Sequence, residues 1–337
     1  MRRELAGTFP HYISQPMSLV SIIVPCHNYG ALLPEALDSV LAQTYADWEC
    51  LVVDDGSTDA TPAVAGHYAA RDPRIRYLPR AHAGASAARN HGLRMARGQF
   101  VQFLDADDLL PSRKLEVQLA YLAARPAVDI VYGAVRYFRH GEPAVLSRSF
   151  DMQDTTDWFV PLHGAGAAVV RPLLVENRVV IHAPLVRHSV FDAVGVFSER
   201  LGAVEDWEFW VRCAAGGQVF EYQDLPDTQT LVRVHPRSTS QDRARVVANV
   251  EQLREYLKPQ LATLGDASLL ALNQDLLNEI RLENAGYYME CGSFRRGLLG
   301  FTRLALDTGQ YWSTARDVAY WVRYRLRKAL KKTNKGI

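Results

Sequence analysis

Cys50-Leu51-Val52-Val53-Asp54-Asp55-Gly56-Ser57 carries an apolar run directly into two carboxylates and a Gly-Ser turn. A short apolar run bounded by turn residues reads as a buried strand, and Thr58 and Asp59 stand where they can cap a following helix. Upstream, Leu19-Val20-Ser21-Ile22-Ile23-Val24 predicts a first strand stopped by Pro25, and Leu33, Leu37, Val40 and Leu41 follow at helical spacing. Downstream, Ile75-Arg76-Tyr77-Leu78 predicts a third strand. A helix then runs from Gly84-Ala85-Ser86 to Ala96, ended by Gly98, and a fourth strand, Gln99 to Leu104, delivers Asp105-Ala106-Asp107-Asp108. Strands alternating with helices define an α/β class with a mainly parallel sheet. Ligands of such sheets collect beyond the carboxyl ends of the strands, so Pro25 to Asn28, Asp54-Asp55 and Asp105 to Asp108 point to one crevice.

The chain has 337 residues, 48% of them apolar, enough for one large domain or one domain with a smaller attachment. Lys and Arg number 38 against 37 Asp and Glu, a balance that gives no reason to expect a nucleic-acid partner. The four cysteines, Cys26, Cys50, Cys213 and Cys291, form no CxxC pair and read as small buried hydrophobes in a reducing cytosol. Residues 1–17 form an N-terminal extension without the apolar stretch of a secretory signal, and no later segment reaches the ~18 apolar residues of a membrane span.

Between Asp129 and His182 the pattern weakens: Ile130-Val131-Tyr132 reads as a strand, and Arg148 to Gly166 as irregular. Ser189 to Gly216 reads as helix, loop, helix, with Glu205-Asp206 opening the second helix and Trp207, Trp210 and Val211 on its apolar side. Strands stop near Gln241. The division is therefore an extension at 1–17, an α/β domain at 18–240 and a helical region at 241–337.

Carboxylates concentrated at strand ends are costly unless a cation or hydrogen-bond donors compensate them. For Asp105-Ala106-Asp107-Asp108, a Mg²⁺ or Mn²⁺ held with substrate phosphates competes with a solvated acidic turn. For Glu205-Asp206, a catalytic carboxylate competes with acids placed by the helix dipole.

Four stretches together, Val20 to Asn28, Val52-Val53-Asp54-Asp55-Gly56-Ser57-Thr58-Asp59, Gly84-Ala85-Ser86-Ala87-Ala88-Arg89-Asn90 and Phe103 to Asp108, closely resemble the nucleotide-binding half of family 2 glycosyltransferases. Glu205-Asp206-Trp207-Glu208-Phe209-Trp210 resembles that family's acceptor-side acidic motif, so the likeness covers residues 18–240. It implies a GT-A fold and an inverting transferase that uses a nucleotide sugar, a UDP-sugar, and Mn²⁺ or Mg²⁺. The acceptor would be a saccharide or glycolipid of cell-surface polysaccharide assembly, reached from the cytoplasm. It also implies roles: Asp55 and Asp54 accept from the nucleobase, and Pro25 and Asn28 shape the base and ribose pocket. Asp107 with Asp105 holds the metal and ribose region, supported by Asp108, and Asp206, beside Glu205, is the general base. Arg89 reads either as a diphosphate contact or as a surface helix arginine, and His235 in Val232-Arg233-Val234-His235 as a metal or phosphate contact or a structural histidine. The short step from Asp108 to Pro111 departs from the family pattern and leaves open how Asp107 and Asp108 divide their work.

Other classes fare worse. A sugar nucleotidyltransferase needs a Gly-rich loop with Arg and Lys where this chain has Pro25-Cys26-His27-Asn28-Tyr29-Gly30, and a dinucleotide dehydrogenase needs a G-x-G-x-x-G that is missing there. A nucleotide-sugar-binding scaffold without catalysis would not need every acidic position intact. From Ala315 to Ile337 eight Lys or Arg face one acid, Asp317, and Val318, Trp321, Val322, Leu326, Ala329 and Leu330 keep helical spacing. That is either a helix packed on the enzyme or one that contacts an anionic membrane.

Overall fold

The computed structural model describes residues 18–153, 157, 160–235, 243–291, 293–309, 316, 318–321 and 323. Its centre is β1 (Val20–Cys26), flanked by β2 (Trp48–Asp55) on one side and β4 (Phe100–Phe103) on the other, both parallel to it. β3 (Ile75–Arg80) extends the parallel set beyond β2. The seven-stranded order is β3-β2-β1-β4-β7-β5-β8, with β7 (Leu185–Arg187) antiparallel between β4 and β5 (Ile130–Gly133), and β8 (Phe220–Gln223) at the edge. The chain runs from β1 to β2 to β3 on one side and then crosses back to β4 on the other side of β1, and this reversal opens a crevice at the carboxyl ends of β1 and β4. A small parallel pair, β6 (Val135–Arg139) with β9 (Thr230–Val234), stands beside it.

Side chains alternate across each central strand, so each strand serves two cores. Ile22, Val24, Cys50 and Val52 pack under α1 (Leu33–Leu41), α2 (Thr61–Arg71) and α4 (Lys114–Ala124). Ile23, Leu51, Val53, Val101 and Phe103 face α3 (Ala85–Met95), α5 (Ala167–Val175), α6 (Ser189–Val194) and α7 (Glu205–Ala215). Gly92 lets α3 lie close on the sheet, because an added Cβ would collide with Ile23 Cγ2.

The first strand does not stop at Pro25; it continues to Cys26, with Pro25 opposite Val53. Leu104 N donates to Ile23 O, so Ile23 and, two residues on, Pro25 turn their main-chain polar groups toward β4. β4 has ended by then, and no partner needs the missing N–H. Ile130-Val131-Tyr132 forms β5 as expected, while β6 and α5, which follow it, are too short to carry a clear period.

Among the described residues the last strand ends at Val234, and α8 (Arg243–Thr263), α9 (Ala267–Glu290) and α10 (Phe294–Thr308) follow. Leu253, Leu257, Leu261 and Leu269 belong to the same core as α5 and α7. Ala285, Met289 and Phe301 form a small separate cluster onto which Val318 and Trp321 pack. The lysine- and arginine-rich residues 324–337, with Leu326, Ala329 and Leu330, lie outside the described residues, as do residues 1–17. Cys26, Cys50 and Cys213 are buried as expected; Cys291 is exposed. No helix among the described residues is long and apolar enough to cross a membrane.

Candidate active site

The strand-end carboxylates of β2 are built into the fold. Asp54 accepts from Ser57 N at 2.9 Å and from Tyr77 Oη at 2.7 Å. Asp55, almost fully buried, accepts from Ala83 N and from Gly84 N (2.7 Å), and His82 Nδ1 lies 2.8 Å from its Oδ2. The second carboxylate thus anchors the loop that leads into α3. Gly84, at φ 94, occupies backbone space that favours glycine at the helix start.

Asn28 bridges the same turn from β1. It sits at φ 60, its Oδ1 accepts from Thr58 N at 2.8 Å, and its own N–H reaches Ser57 Oγ. His27 and His82 stack with centroids 4.2 Å apart over the end of β2. Pro25, Asn28, Asp54 and Asp55 therefore line one strand-end wall.

From that wall α3 carries Arg89 into the crevice. Arg89 is buried, not a surface residue: its Nη2 donates to Asp105 Oδ1 at 2.9 Å and its Nη1 to Glu205 Oε1 at 2.5 Å. Burial works against ionised Asp105, but the Arg89 guanidinium outweighs it and holds the carboxyl below its usual range.

Asp206 follows in the first turn of α7, where the helix dipole favours anions. The preceding Val204 is held at φ 60, a left-handed conformation costly for a β-branched residue. Of the three non-glycine residues with positive φ among those described, Asn28, Met152 and Val204, two flank this crevice. Asp206 is partly buried, accepts from Asn177 Nδ2 at 3.1 Å and from Trp207 N, and its carboxyl is pushed up to about 7 by burial and then by Glu205, with Arg89 pulling the other way. A carboxylate poised near neutrality can take a proton from a hydroxyl.

His235, just past β9, places Nε2 2.8 Å from Asp107 Oδ2, and its ring meets Tyr29 edge-on at 6.1 Å. Burial and then Asp105 raise the Asp107 carboxyl. An oxygen and an imidazole nitrogen at this separation fit a divalent cation, for which neighbouring ligands at about 2.1 Å would stand about 3 Å apart. Asp105, Asp107, Asp108, Arg89, Glu205, Asp206 and His235 thus gather in one region, reached from β4, α3, α7 and β9.

Four further residues support the site. His182 is buried between Asp108 Oδ2 (3.1 Å from Nε2) and Asp105 Oδ2 (3.7 Å from Nδ1), and burial lowers it to about 4, so it is neutral. Asn177 holds Asp206, and Arg233 holds the Asp107 main chain. Asn90 exchanges hydrogen bonds with Phe197 N and O, tying α3 to the loop before α7. Asn90, beside Arg89, and Arg233, two residues before His235, stand in stretches the sequence singles out, whereas Asn177 and His182 fall where its pattern weakens.

With this geometry in place, the comparisons agree on its class. The sequence model of Glycosyl transferase family 2 matches residues 21–173. A PGL/p-HBAD biosynthesis glycosyltransferase of Mycobacterium bovis is 31% identical over 58% of this chain and 69% of its own length. The Escherichia coli protein WfgD, named a UDP-Glc:alpha-D-GlcNAc-diphosphoundecaprenol beta-1,3-glucosyltransferase, is 41% identical over 34% of this chain and 45% of its own. A Pyrobaculum calidifontis mannosyltransferase solved with GDP-Man and Mn²⁺ superposes with a TM-score of 0.52 at 22% identity, covering 93% of this chain and 87% of that one, a likeness of fold. The fold is that of the GT-A glycosyltransferases. The chain belongs to glycosyl transferase family 2. The matches cover only 28%, 33% and 19% of the length of three other curated relatives.

Proposed function

We propose that this chain is an inverting, metal-assisted glycosyltransferase that moves a sugar from a UDP-sugar to a hydroxyl of a saccharide or glycolipid acceptor in cell-surface polysaccharide assembly. The observation that carries the reading is Asp206. It is a partly buried carboxylate raised to about 7, aimed by Asn177, and joined through Glu205 and Arg89 to the Asp105 turn. Asp206 takes the acceptor hydroxyl proton as the oxygen bonds to the anomeric carbon, while the bond from that carbon to the phosphate oxygen breaks and the nucleoside diphosphate leaves. A base acting opposite the leaving group inverts the anomeric centre.

Asp107 and His235, with Asp105 beside them, would hold a divalent cation, Mn²⁺ or Mg²⁺, which would supply Lewis-acid charge neutralisation for the leaving diphosphate. Arg89 fixes Asp105 and Glu205 in one plane of charge between donor and acceptor sides. Pro25 and Asn28 bound the base and ribose, and Asp55 contributes by holding the 83–84 loop as the far wall as well as through any lone pair it offers the base.

The donor assignment draws support from WfgD, whose name gives UDP-Glc as donor and a diphosphoundecaprenol-linked sugar as acceptor. The cation assignment draws support from the neighbour solved with Mn²⁺. A lipid-linked acceptor is compatible with a cytoplasmic enzyme that touches anionic lipid. Such contact would fall to the basic residues beyond 323, since Val318 and Trp321 already pack against Ala285, Met289 and Phe301.

Transfer from UDP-sugars with added Mn²⁺ tests the reading. Asp107→Ala and Asp206→Ala should both abolish transfer, while Asp206→Ala still gains thermal stability from the donor by mass action. Wild-type transfer by Asp206→Ala would overturn the base assignment.

A further inference from the structure

Asp107 and Asp108 are neighbours with different surroundings. Asp107 meets His235 at the crevice, whereas Asp108 is turned inward and almost fully buried. Asp108 Oδ1 accepts the main-chain N–H of Arg233 at 2.6 Å, and Oδ2 lies 3.1 Å from His182 Nε2. Arg233 is buried too: its Nε donates to Asp107 O at 2.7 Å and its Nη2 to Glu35 Oε2 at 2.8 Å, with the guanidinium 4.7 Å over the Phe138 ring. One residue beyond Asp108, Leu109 N donates to Leu231 O. The acidic turn and β9 are therefore fastened at three successive points, and His235 comes two residues after the last of them.

We propose that Asp108 is a positioning residue that clamps β9 to the acidic turn, so that Asp107 and His235 face the same cation, and that it is not itself a ligand. The proposal rests on the reading of Asp107 and His235 as a divalent-metal pair. Without the clamp β9 would be held to the turn mainly by Leu109 and Arg233 Nε, and the spacing of the two ligand atoms would be set by flexible side chains. Outer groups that orient ligands in this way typically govern about 10- to 100-fold in metal affinity.

A rival assignment exists in the same turn. Ligand atoms of Asp105, Asp108 and His182 lie within 4.8 Å of one another and could hold a cation themselves. Two observations weigh against it: Asp108 Oδ1 is spent on Arg233 N, and the Arg89 guanidinium already occupies Asp105.

The two assignments part at Asp108→Asn. Asparagine keeps an oxygen for Arg233 N and offers an amide N–H to neutral His182, so a clamp survives; a ligand loses its charge. Binding of Mn²⁺ alone to the full chain, followed by the electron paramagnetic resonance signal of free Mn²⁺, is the measurement. Asp108→Asn should bind within about threefold of wild type, whereas Asp108→Ala and the milder Asp108→Ser should weaken binding by about tenfold or more. Asp107→Asn is the control for the underlying reading: unchanged binding there would remove the metal pair, whatever Asp108 does. If Asp107→Asn weakens binding and Asp108→Asn weakens it equally, Asp108 is a ligand and the clamp is wrong. Wild-type binding by Asp108→Ser, or by a folded Asp108→Ala, would equally overturn it.

Discussion

Arg89 and Glu205, 116 residues apart in sequence, meet at 2.5 Å inside the crevice, and the other arm of the same guanidinium holds Asp105. This is the physical join between the acidic turn after β4 and the acidic turn of α7. Removing one partner of a buried pair leaves uncompensated charge, here two carboxylates at once. Arg89→Ala should therefore lower stability by about 3 kcal/mol or more, read as the shift in denaturant midpoint at unchanged slope. Arg89→Lys keeps the charge but not the fork, and should recover stability better than transfer rate.

The pH profile follows from Asp206. As the proposed base it must be ionised, and burial, with Glu205 beside it, raises its carboxyl to about 7. Transfer measured as kcat/KM should rise about tenfold per pH unit below 7 and level off above it. Because Arg89 pulls Asp206 down, Arg89→Lys should leave the inflection near its place and Arg89→Ala should move it to higher pH. Asp206→Asn should lower the plateau by roughly 10²- to 10⁴-fold. A profile flat from pH 5 to 8 would rule out Asp206 as the titrating base.

Lys114 makes a second prediction, for stability. Its amine is fully buried, donates to Ala183 O at 2.8 Å and Thr228 O at 3.1 Å, and burial lowers it to about 7 from 10.5. Between these values the unfolded chain binds the proton and the folded chain releases it, so stability rises with pH across that window, by at most about 1.4 kcal/mol per unit. Below pH 7 both states are protonated and the burial penalty is felt in full. Lys114→Met removes the slope. Equal dependence of the melting temperature on pH in both proteins between pH 7 and 10 would contradict this account.

What the sequence made legible is local chemistry. The runs at Leu19–Val24 and Cys50–Val53 announce strands because a central parallel strand is apolar on both faces, and Asp-Asp-Gly-Ser announces its own turn. The acids at 54, 55, 105, 107, 108, 205 and 206 are visible for the same reason. Their partners are not. Whether Arg89 was a surface helix residue or a buried bridge depends on Glu205, and nothing local to either residue encodes that meeting. His182 lies in a stretch whose strands are three to five residues long, below the length at which periodicity separates strand from helix. Pro25 misled for a related reason: whether a proline ends a strand depends on whether a neighbour is there to be deprived of a hydrogen bond.

α8, the first described helix after β9, lines the back of α7. Asn249 Oδ1 accepts Gly202 N and Ala203 N, immediately before Val204, and Arg254 lies 4.9 Å over the Trp207 ring, one residue after Asp206. Leu253 and Leu257 seal the same apolar interior that receives Phe209 and Trp210. The α/β part is consequently not a module that can be lifted out by cutting the chain where its described strands end. Such a cut would strip the backing from the very helix that presents the carboxylate, and substitutions along α8 that never touch a ligand can be felt at Asp206.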